Sequence, residues 1–293
     1  MNNLRCPLCN ENVVDSKFSQ KNNMIFKCRS CLLHFVKKEY SLDENYRHRY
    51  HDGDFWNDAN YDISKMISSN FSDSQGKHFL LNWTSMYEYC KEHLSKDQKI
   101  LEIGVGTGVH MIMFDKIGFN VTGIEPDKHN ADLINKKLIN GNCINGFFED
   151  QNFSNQFDII WLYHVLEHVT DPSKLLLKCK DFLKNNGLII IAVPDCENPS
   201  TLKNSIDNQD HLWHFTKNSL KLLFSKNNIE LKKFDSLSQI TNLNKQRIYN
   251  RLNSFHFFRK KIWPYWPLEL SNDKNGYEIR AILKINKNDT LNS

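Results

Sequence analysis

No apolar run in this chain approaches the roughly 18 residues that a helix needs to cross a bilayer. The longest, Leu188–Val193, is only strand-length. A basic segment followed by an apolar stretch is also missing from Met1–Cys9, so no secretory leader is expected. Nor is there an excess of charge of one sign: 38 Lys and Arg against 34 Asp and Glu leave +4. That balance is too weak to argue for nucleic acid, and it does not exclude an anionic substrate. No internal repeat and no low-complexity linker interrupts the 293 residues. What is there is enough for a sizeable core, with 40% hydrophobic and 12% aromatic residues. Eight cysteines in a chain without a leader argue for thiols or metal rather than disulfides, and a cytoplasmic location is expected.

Four of those cysteines form two tight pairs, Cys6-Pro-Leu-Cys9 and Cys28-Arg-Ser-Cys31. Two C-x2-C knuckles at this separation suit tetrahedral zinc, each presenting two thiolates to one ion. Four thiolates leave no open position for water, so the expected zinc is structural. A module of about 40 residues buries too little to fold without it. Cys90, Cys143, Cys179 and Cys196 read as buried or incidental.

From Lys99 onward, short apolar runs alternate with helical patterns. Strands are expected at Lys99–Ile103, Asn120–Ile124, Asn142–Asn145, Phe157–Tyr163, Leu188–Val193, Ile229–Phe234 and Glu278–Ile285. Helices are expected at residues 77–94, Thr107–Ile117, Asp127–Asn140, Asp171–Asn186 and Thr216–Asn227. Asp171 serves as N-cap of the fourth, Pro172 lies in its first turn and Gly187 stops it. Such alternation means a parallel sheet with helices on both faces. Residues 41–76 are polar and aromatic, without a clear period.

The strongest signal is Leu101-Glu-Ile-Gly-Val-Gly-Thr-Gly108, between a strand and a helix. A dinucleotide turn wants G-x-G-x-x-G, but position 109 is Val. Glu102 at the strand end is a poor neighbour for a pyrophosphate and a good one for an ammonium near a sulfonium. S-adenosylmethionine carries both positive charges. Glu125 ends the next strand 19 residues after Gly106, close to the offset at which a carboxylate grips ribose hydroxyls.

These residues resemble class I S-adenosylmethionine-dependent methyltransferases. The matching features run in order: Glu102-x-Gly104-x-Gly106-x-Gly108, Gly123-Ile-Glu-Pro-Asp127, Phe157-Asp-Ile-Ile160, Leu166-Glu-His-Val-x-Asp-Pro172, Leu183-x-x-x-Gly187 and Val193-Pro194. The resemblance covers roughly residues 80–235. It implies an α/β fold, a Rossmann-like doubly wound seven-stranded sheet whose last strand is antiparallel, here preceded by a small N-terminal zinc ribbon. It implies S-adenosylmethionine contacts at Glu102, Gly104, Gly106, Gly108, Glu125 and Tyr163, and along Gly146–Glu149. Many relatives hold the adenine amine with an Asp near the third strand's end. Phe147 and Phe148 occupy that stretch here, which leaves Glu149 or a backbone carbonyl for the contact.

After the fourth strand, Tyr163-His-Val-Leu-Glu-His168 is similar to the E-x-x-E-H loop of ubiquinone-pathway O-methyltransferases, which can bind a divalent cation. Spacing could bring His164, Glu167 and His168 together on one helical turn. With His164 in the first acidic position, the set suits magnesium poorly. It leaves a softer second cation, no metal, or a simple Glu167–His168 hydrogen bond open. His211-Leu-Trp-His-Phe-Thr216 is expected at the active-site rim. Methyl transfer to a hydroxyl needs the proton removed, and histidine suits that task. His211 and His214 are the first candidates, His164 and His168 the others; a purely structural pair is the competing reading.

Lys245, Arg247, Arg251, Arg259, Lys260 and Lys261 lie among Tyr249, Phe255, Phe257, Phe258, Trp263, Tyr265 and Trp266. This stretch could close over a phosphorylated substrate, contact RNA, an oligomer partner or a membrane surface, or simply be solvated. The expected division is a zinc ribbon at 1–40, a helical lid covering the cofactor at 41–98, and a methyltransferase core at 99–293 with a basic, aromatic insertion at about 240–270. The expected acceptor is oxygen on a small, sugar-like molecule of surface-polysaccharide or secondary-metabolite biosynthesis, with phosphorylated and nucleotide-linked sugars among the candidates. An RNA methyltransferase and a non-catalytic scaffold are the alternatives.

Overall fold

The computed structural model describes residues 4–20, 23–36, 50, 61–154, 156–237 and 276–285. Most of 41–60 and all of the basic, aromatic stretch at 240–270 lie outside the described residues. In chain order, the structure begins with strands β1 (Val13–Gln20), β2 (Asn23–Cys28) and β3 (His34–Val36). Helices α1 (Ile63–Ser68) and α2 (Ser74–Cys90) follow. Next come β4 (Lys99–Ile103), α3 (Val109–Lys116), β5 (Asn120–Glu125), α4 (Lys128–Asn135), β6 (Asn142–Asn145) and β7 (Phe157–Tyr163). The rest is α5 (Pro172–Phe182), β8 (Leu183–Pro194), α6 (Pro199–Asp207), β9 (Trp213–His214), α7 (Lys217–Lys226), β10 (Ile229–Leu237) and β11 (Glu278–Ile285).

The large sheet has the order β10-β11-β8-β7-β4-β5-β6. β4 runs parallel to β5 and to β7, and those pairings extend in parallel to β6 and β8. β11 is antiparallel to both β8 and β10. This is the expected seven-stranded sheet with an antiparallel last strand. The chain leaves β4 to one side and later returns to the other, so the crevice of a doubly wound fold opens at the carboxyl end of β4.

Side chains alternate faces along a strand. Ile100, Ile159, Ile190 and Ile282 therefore join one buried cluster, with Trp83 and Met86 of α2 and Met111 and Phe114 of α3. Leu101, Ile160, Ile189 and Ala281 join the other, with Leu176 of α5 and Leu223 of α7. On the first face, Trp83 stacks on Tyr87 at 5.4 Å, and Phe114 meets Trp161 edge-on at 4.9 Å.

The expected caps form. Asp171 accepts from the Lys174 N–H with Pro172 in the first turn, and Thr216 and Ser219 make a reciprocal capping box. Two helix ends differ from expectation. The helix expected to reach Asn140 stops at Asn135, because the buried Asp115 carboxylate collects the backbone N–H groups of Ile139, Asn140 and Gly141 into a turn. The helix expected to reach Asn186 stops at Phe182, where the backbone turns to pair Leu183 with Phe157. Gly187 is thus not a helix stop. A Cβ there would meet the Asp158 carbonyl at 3.1 Å, so it serves close strand approach. α1 and α6 were not read from the sequence. α6 carries its own signal, Asn198 as N-cap before Pro199, in a segment too polar for its period to stand out.

The N-terminal strands make a second sheet, β1-β2-β3-β9. Its last member belongs to the methyltransferase-like part: His34 pairs with His214 and Phe35 with Trp213. Val36 N–H donates to the Leu212 carbonyl, and the Thr216 hydroxyl donates to that of Cys31. Cys6, Leu8, Cys28, Cys31, Leu33 and Phe35 share one buried cluster with α5, α7 and the large sheet.

Candidate active site

The turn after β4 holds Gly104, Gly106 and Gly108 at φ of +68°, +60° and +77°. This left-handed region costs side-chain-bearing residues roughly 1–2 kcal/mol each. A Cβ at Gly104 would also come within 2.8 Å of Val165, so the turn presses on the loop after β7. Gly108 starts α3 and lies against Ile134 of α4, which makes it a packing glycine. Glu125 accepts from the Gly106 N–H through one carboxylate oxygen (2.7 Å) and from the Asp127 N–H through the other (3.0 Å). Burial raises its pKa to about 7, against the opposing pull of those two N–H groups.

Glu102 is different. It is 2% exposed, and its Oε2 has no hydrogen-bond partner among the described residues. Burial, then the nearby Glu125 charge, pushes its pKa well above the carboxylate range. An unpaired buried carboxylate oxygen costs of order 1–3 kcal/mol or more, and a cation brought to it would offset that cost. An ammonium beside a glycine turn is such a cation, so this donor set fits S-adenosylmethionine. Of the other cofactor candidates, Tyr163 has its ring against His110 at 4.2 Å. Burial and the Glu278 carboxylate keep its hydroxyl protonated. Phe148 is buried against Phe182 at 5.3 Å, and Glu149 points to the surface. Phe148 thus belongs to the core beside α5.

The loop after β7 turns through His164, whose φ is +53°. Its Nδ1 donates to Glu167 Oε1 (3.0 Å) and its Nε2 to Glu278 Oε2 (2.8 Å). Burial opposes the charge, but the two carboxylates override it and raise its pKa to about 10. Glu278 reaches this loop because β11 starts opposite the end of β8, with Glu278 paired to Pro194. Arg280, two residues on and facing the same way, donates to Glu278 and to Ser85 Oγ. With both nitrogens given to carboxylates, His164 has no nitrogen left to accept a proton.

His164 also drops out of the cation set anticipated at His164, Glu167 and His168. The groups that converge are Glu167, His168 and His211, whose donor atoms lie within 4.8 Å of one another, all buried. Glu167 Oε2 has no hydrogen-bond partner among the described residues. The backbone explains the meeting: the Glu167 carbonyl accepts from the N–H groups of Leu212 and Trp213, which clasps the two segments. His168 Nδ1 lies 3.0 Å from the Tyr50 hydroxyl and 3.1 Å from the Asp210 carbonyl. The His168 and His211 rings meet edge-on at 4.6 Å. Ser205 Oγ of α6 lies 2.8 Å from Nδ1 of both His211 and His214. His214 is not at the rim as expected. It is fully buried in β9, the last strand of the N-terminal sheet, paired with His34, and burial lowers its pKa to about 3. Burial likewise lowers those of His168 and His211.

The four N-terminal cysteines come together as their spacing implies. Cys6 and Cys31 sulfurs are 3.7 Å apart and those of Cys9 and Cys28 3.3 Å, far beyond a disulfide bond. Zn–S bonds of about 2.3 Å make a tetrahedron with edges of roughly 3.8 Å, which this cluster fits.

The methyltransferase-domain family matches residues 76–233, more than half of the chain. The chain belongs to this methyltransferase family. Over 105 residues it is 30% identical to the ubiquinone biosynthesis O-methyltransferase of Actinobacillus pleuropneumoniae, covering 32% of this chain and 45% of that protein. Over 100 residues it is 32% identical to the protein of the same name from Rhodopseudomonas palustris, covering 32% and 39%. The matched stretch spans less than half the length of these curated relatives. Among solved structures, the plantazolicin methyltransferase BpumL has a TM-score of 0.52 at 17% identity, over 80% of this chain and 93% of its own. A SAM-dependent methyltransferase from Archaeoglobus fulgidus has 0.51 at 15%, over 69% and 92%. These two likenesses concern the fold.

Several residues of this candidate site escaped the sequence reading. Glu278 and Arg280 were legible in principle, as two charges on one face of an otherwise apolar strand. Ser205, Asp210 and Tyr50 carry no local pattern. They matter only because α6 and the 209–214 segment fold back on the loop after β7. No helix among the described residues is long and apolar enough to cross a membrane.

Proposed function

We propose that this methyltransferase transfers a methyl group from S-adenosylmethionine to an oxygen of a small, sugar-like acceptor in the cytoplasm. The observation that carries the reading is the buried, unpartnered Glu102 carboxylate oxygen beside the three left-handed glycines at the carboxyl end of β4. When bound, S-adenosylmethionine supplies an electrophilic methyl on a sulfonium. Glu102 would pair with its ammonium, and Gly104 and Gly106 would let the backbone approach it closely. Glu125 is spaced for the ribose, in exchange for its present N–H partners. The chain's main contribution is to hold the acceptor in line with the methyl carbon. The O-methyltransferase relatives support oxygen as the acceptor atom.

Residues 1–40 form the zinc ribbon in this reading, with structural zinc on Cys6, Cys9, Cys28 and Cys31. Residues 41–98 cover the cofactor and 99–293 make the catalytic core. The test is to incubate the purified chain with methyl-labelled S-adenosylmethionine and a source-cell extract. Label in the small-molecule or polysaccharide fraction is the expected result. Label in RNA that is lost after ribonuclease would favour an RNA acceptor instead. No label anywhere, together with no S-adenosylhomocysteine binding in calorimetry, would leave only a scaffold.

A further inference from the structure

We propose that the N-terminal sheet is a positioning element of the active site: β3, anchored by the cysteine quartet, holds residues 212–216 against the loop after β7, so that metal at the quartet governs acceptor methylation and leaves cofactor binding intact. The acceptor side of this statement rests on the methyl-transfer reading; the clasp itself does not. β9 has only two residues, too few to fix its own place when strands usually run to about five or six. Its position is set from both sides. On one side, the Glu167 carbonyl accepts from the Leu212 and Trp213 N–H groups, and the Trp213 indole donates to the Val169 carbonyl (2.7 Å). That loop also carries Val165, which lies against Gly104 of the cofactor turn.

On the other side stands the ribbon. His34 and Phe35 pair with His214 and Trp213, and the Val36 N–H donates to the Leu212 carbonyl (3.1 Å). Ile25 and Val36 pack on Leu202 and Ile206 of α6, the helix whose Ser205 reaches His211 and His214. The ribbon therefore braces the segment and the helix behind it. The cysteines decide where β3 begins. Cys28 ends β2 and donates its N–H to the Leu33 carbonyl (2.8 Å), Cys31 N–H donates to Cys28 Sγ (3.4 Å), and Leu32 between them turns at φ +62°. The Cys31 carbonyl itself accepts from the Thr216 hydroxyl (3.2 Å), at the N-cap of α7. A metal-ligand residue is thus one hydrogen bond from the end of the clasped segment.

The cofactor turn is held from elsewhere. Gly104 and Val105 donate their N–H groups to the Ile124 carbonyl, and Gly106 donates to Glu125, so β5 supports the turn directly. The two halves of the site have separate supports: β4 and β5 for the cofactor, the ribbon for the wall beyond the loop after β7. Four thiolates gathered in one place need a cation to stay together, and metal binding to such a module is coupled to its folding. Loss of the metal then releases β3, and with β3 the grip on residues 212–216, before it reaches the glycine turn.

The test is amide hydrogen exchange, read by mass spectrometry on the full chain as zinc-loaded, chelator-stripped and zinc-restored protein, with S-adenosylhomocysteine titrated calorimetrically into each. Peptides covering 209–216 should exchange at least about tenfold faster after stripping and recover when zinc returns. Peptides covering 101–108 and the S-adenosylhomocysteine Kd should change by less than about threefold. Val36→Pro removes the N–H given to Leu212 and leaves all four cysteines. It should keep its zinc and still show the faster exchange at 209–216. Cys9→His, at a half-buried ligand position, should keep both zinc and protection, because three cysteines and a histidine also make a structural zinc set. Exchange at 209–216 that ignores zinc, or ignores Val36→Pro, would overturn the proposal. So would S-adenosylhomocysteine binding that is lost in step with zinc, since the ribbon would then support the fold as a whole. In the extract-labelling assay, label should fall on stripping and return with zinc. A zinc-loaded chain that labels nothing and binds no S-adenosylhomocysteine would sink the methyl-transfer reading, while the exchange at 209–216 would still decide the clasp.

Discussion

Two carboxylates at the ends of adjacent strands show how much the surroundings of a residue decide. Glu125 is satisfied by two backbone N–H groups, whereas Glu102 keeps one buried oxygen unpaired. Glu102→Gln is therefore expected to weaken S-adenosylhomocysteine binding about ten- to hundredfold in calorimetry, the worth of one charge-assisted hydrogen bond. The pH dependence has a definite sign. With its pKa raised by burial, Glu102 is neutral at low pH and ionises as pH rises, so affinity for an ammonium-bearing ligand should increase with pH. In Glu102→Gln that slope should flatten. His164 behaves in the opposite sense. Its pKa rises from 6.5 to about 10 because Glu167 and Glu278 grip both nitrogens. Its stabilising effect is complete below about pH 6.5 and is lost as pH rises through about 10. Urea unfolding of His164→Gln should show a deficit against wild type at pH 7 that shrinks toward pH 10. A constant deficit would mean that the ion pairs contribute nothing.

At the scale of elements, the glycine turn and its neighbour loop act as one unit. Gly104→Ala asks a side chain to adopt φ +68° and to enter the space of Val165. The expected result is a loss of roughly 1–2 kcal/mol from strain alone, with weaker S-adenosylhomocysteine binding. Adding Val165→Ala should recover the part due to the clash and none of the part due to φ. Most strands were legible because their apolar runs are short and bounded, and β11 was read to the residue. The helix ends at Asn135 and Phe182 were not. In each case a distant group, the Asp115 carboxylate or the Phe157 backbone, competes for the peptide groups that the helix would have used.

For the whole molecule, the N-terminal sheet is continuous with the catalytic part. It hydrogen-bonds to residues 212–216 and shares a core with α5 and α7. Cys28→Ser should abolish stoichiometric zinc, measured by elemental analysis, and lower the thermal midpoint of the whole chain in one transition. A separate low-temperature transition, with the main one unmoved, would show that the ribbon is only appended. The sequence by itself determined the sheet, the glycine turn with its two acids and the cysteine quartet. Each of these is written in residues close together, where spacing and backbone chemistry suffice. Only the tertiary structure decided what the histidines do. His164, His168, His211 and His214 look alike in a string of letters. They differ in which carboxylate, carbonyl or hydroxyl reaches each ring nitrogen, and those partners come from β11, α6 and the 209–210 turn, brought near by burial of apolar surface elsewhere.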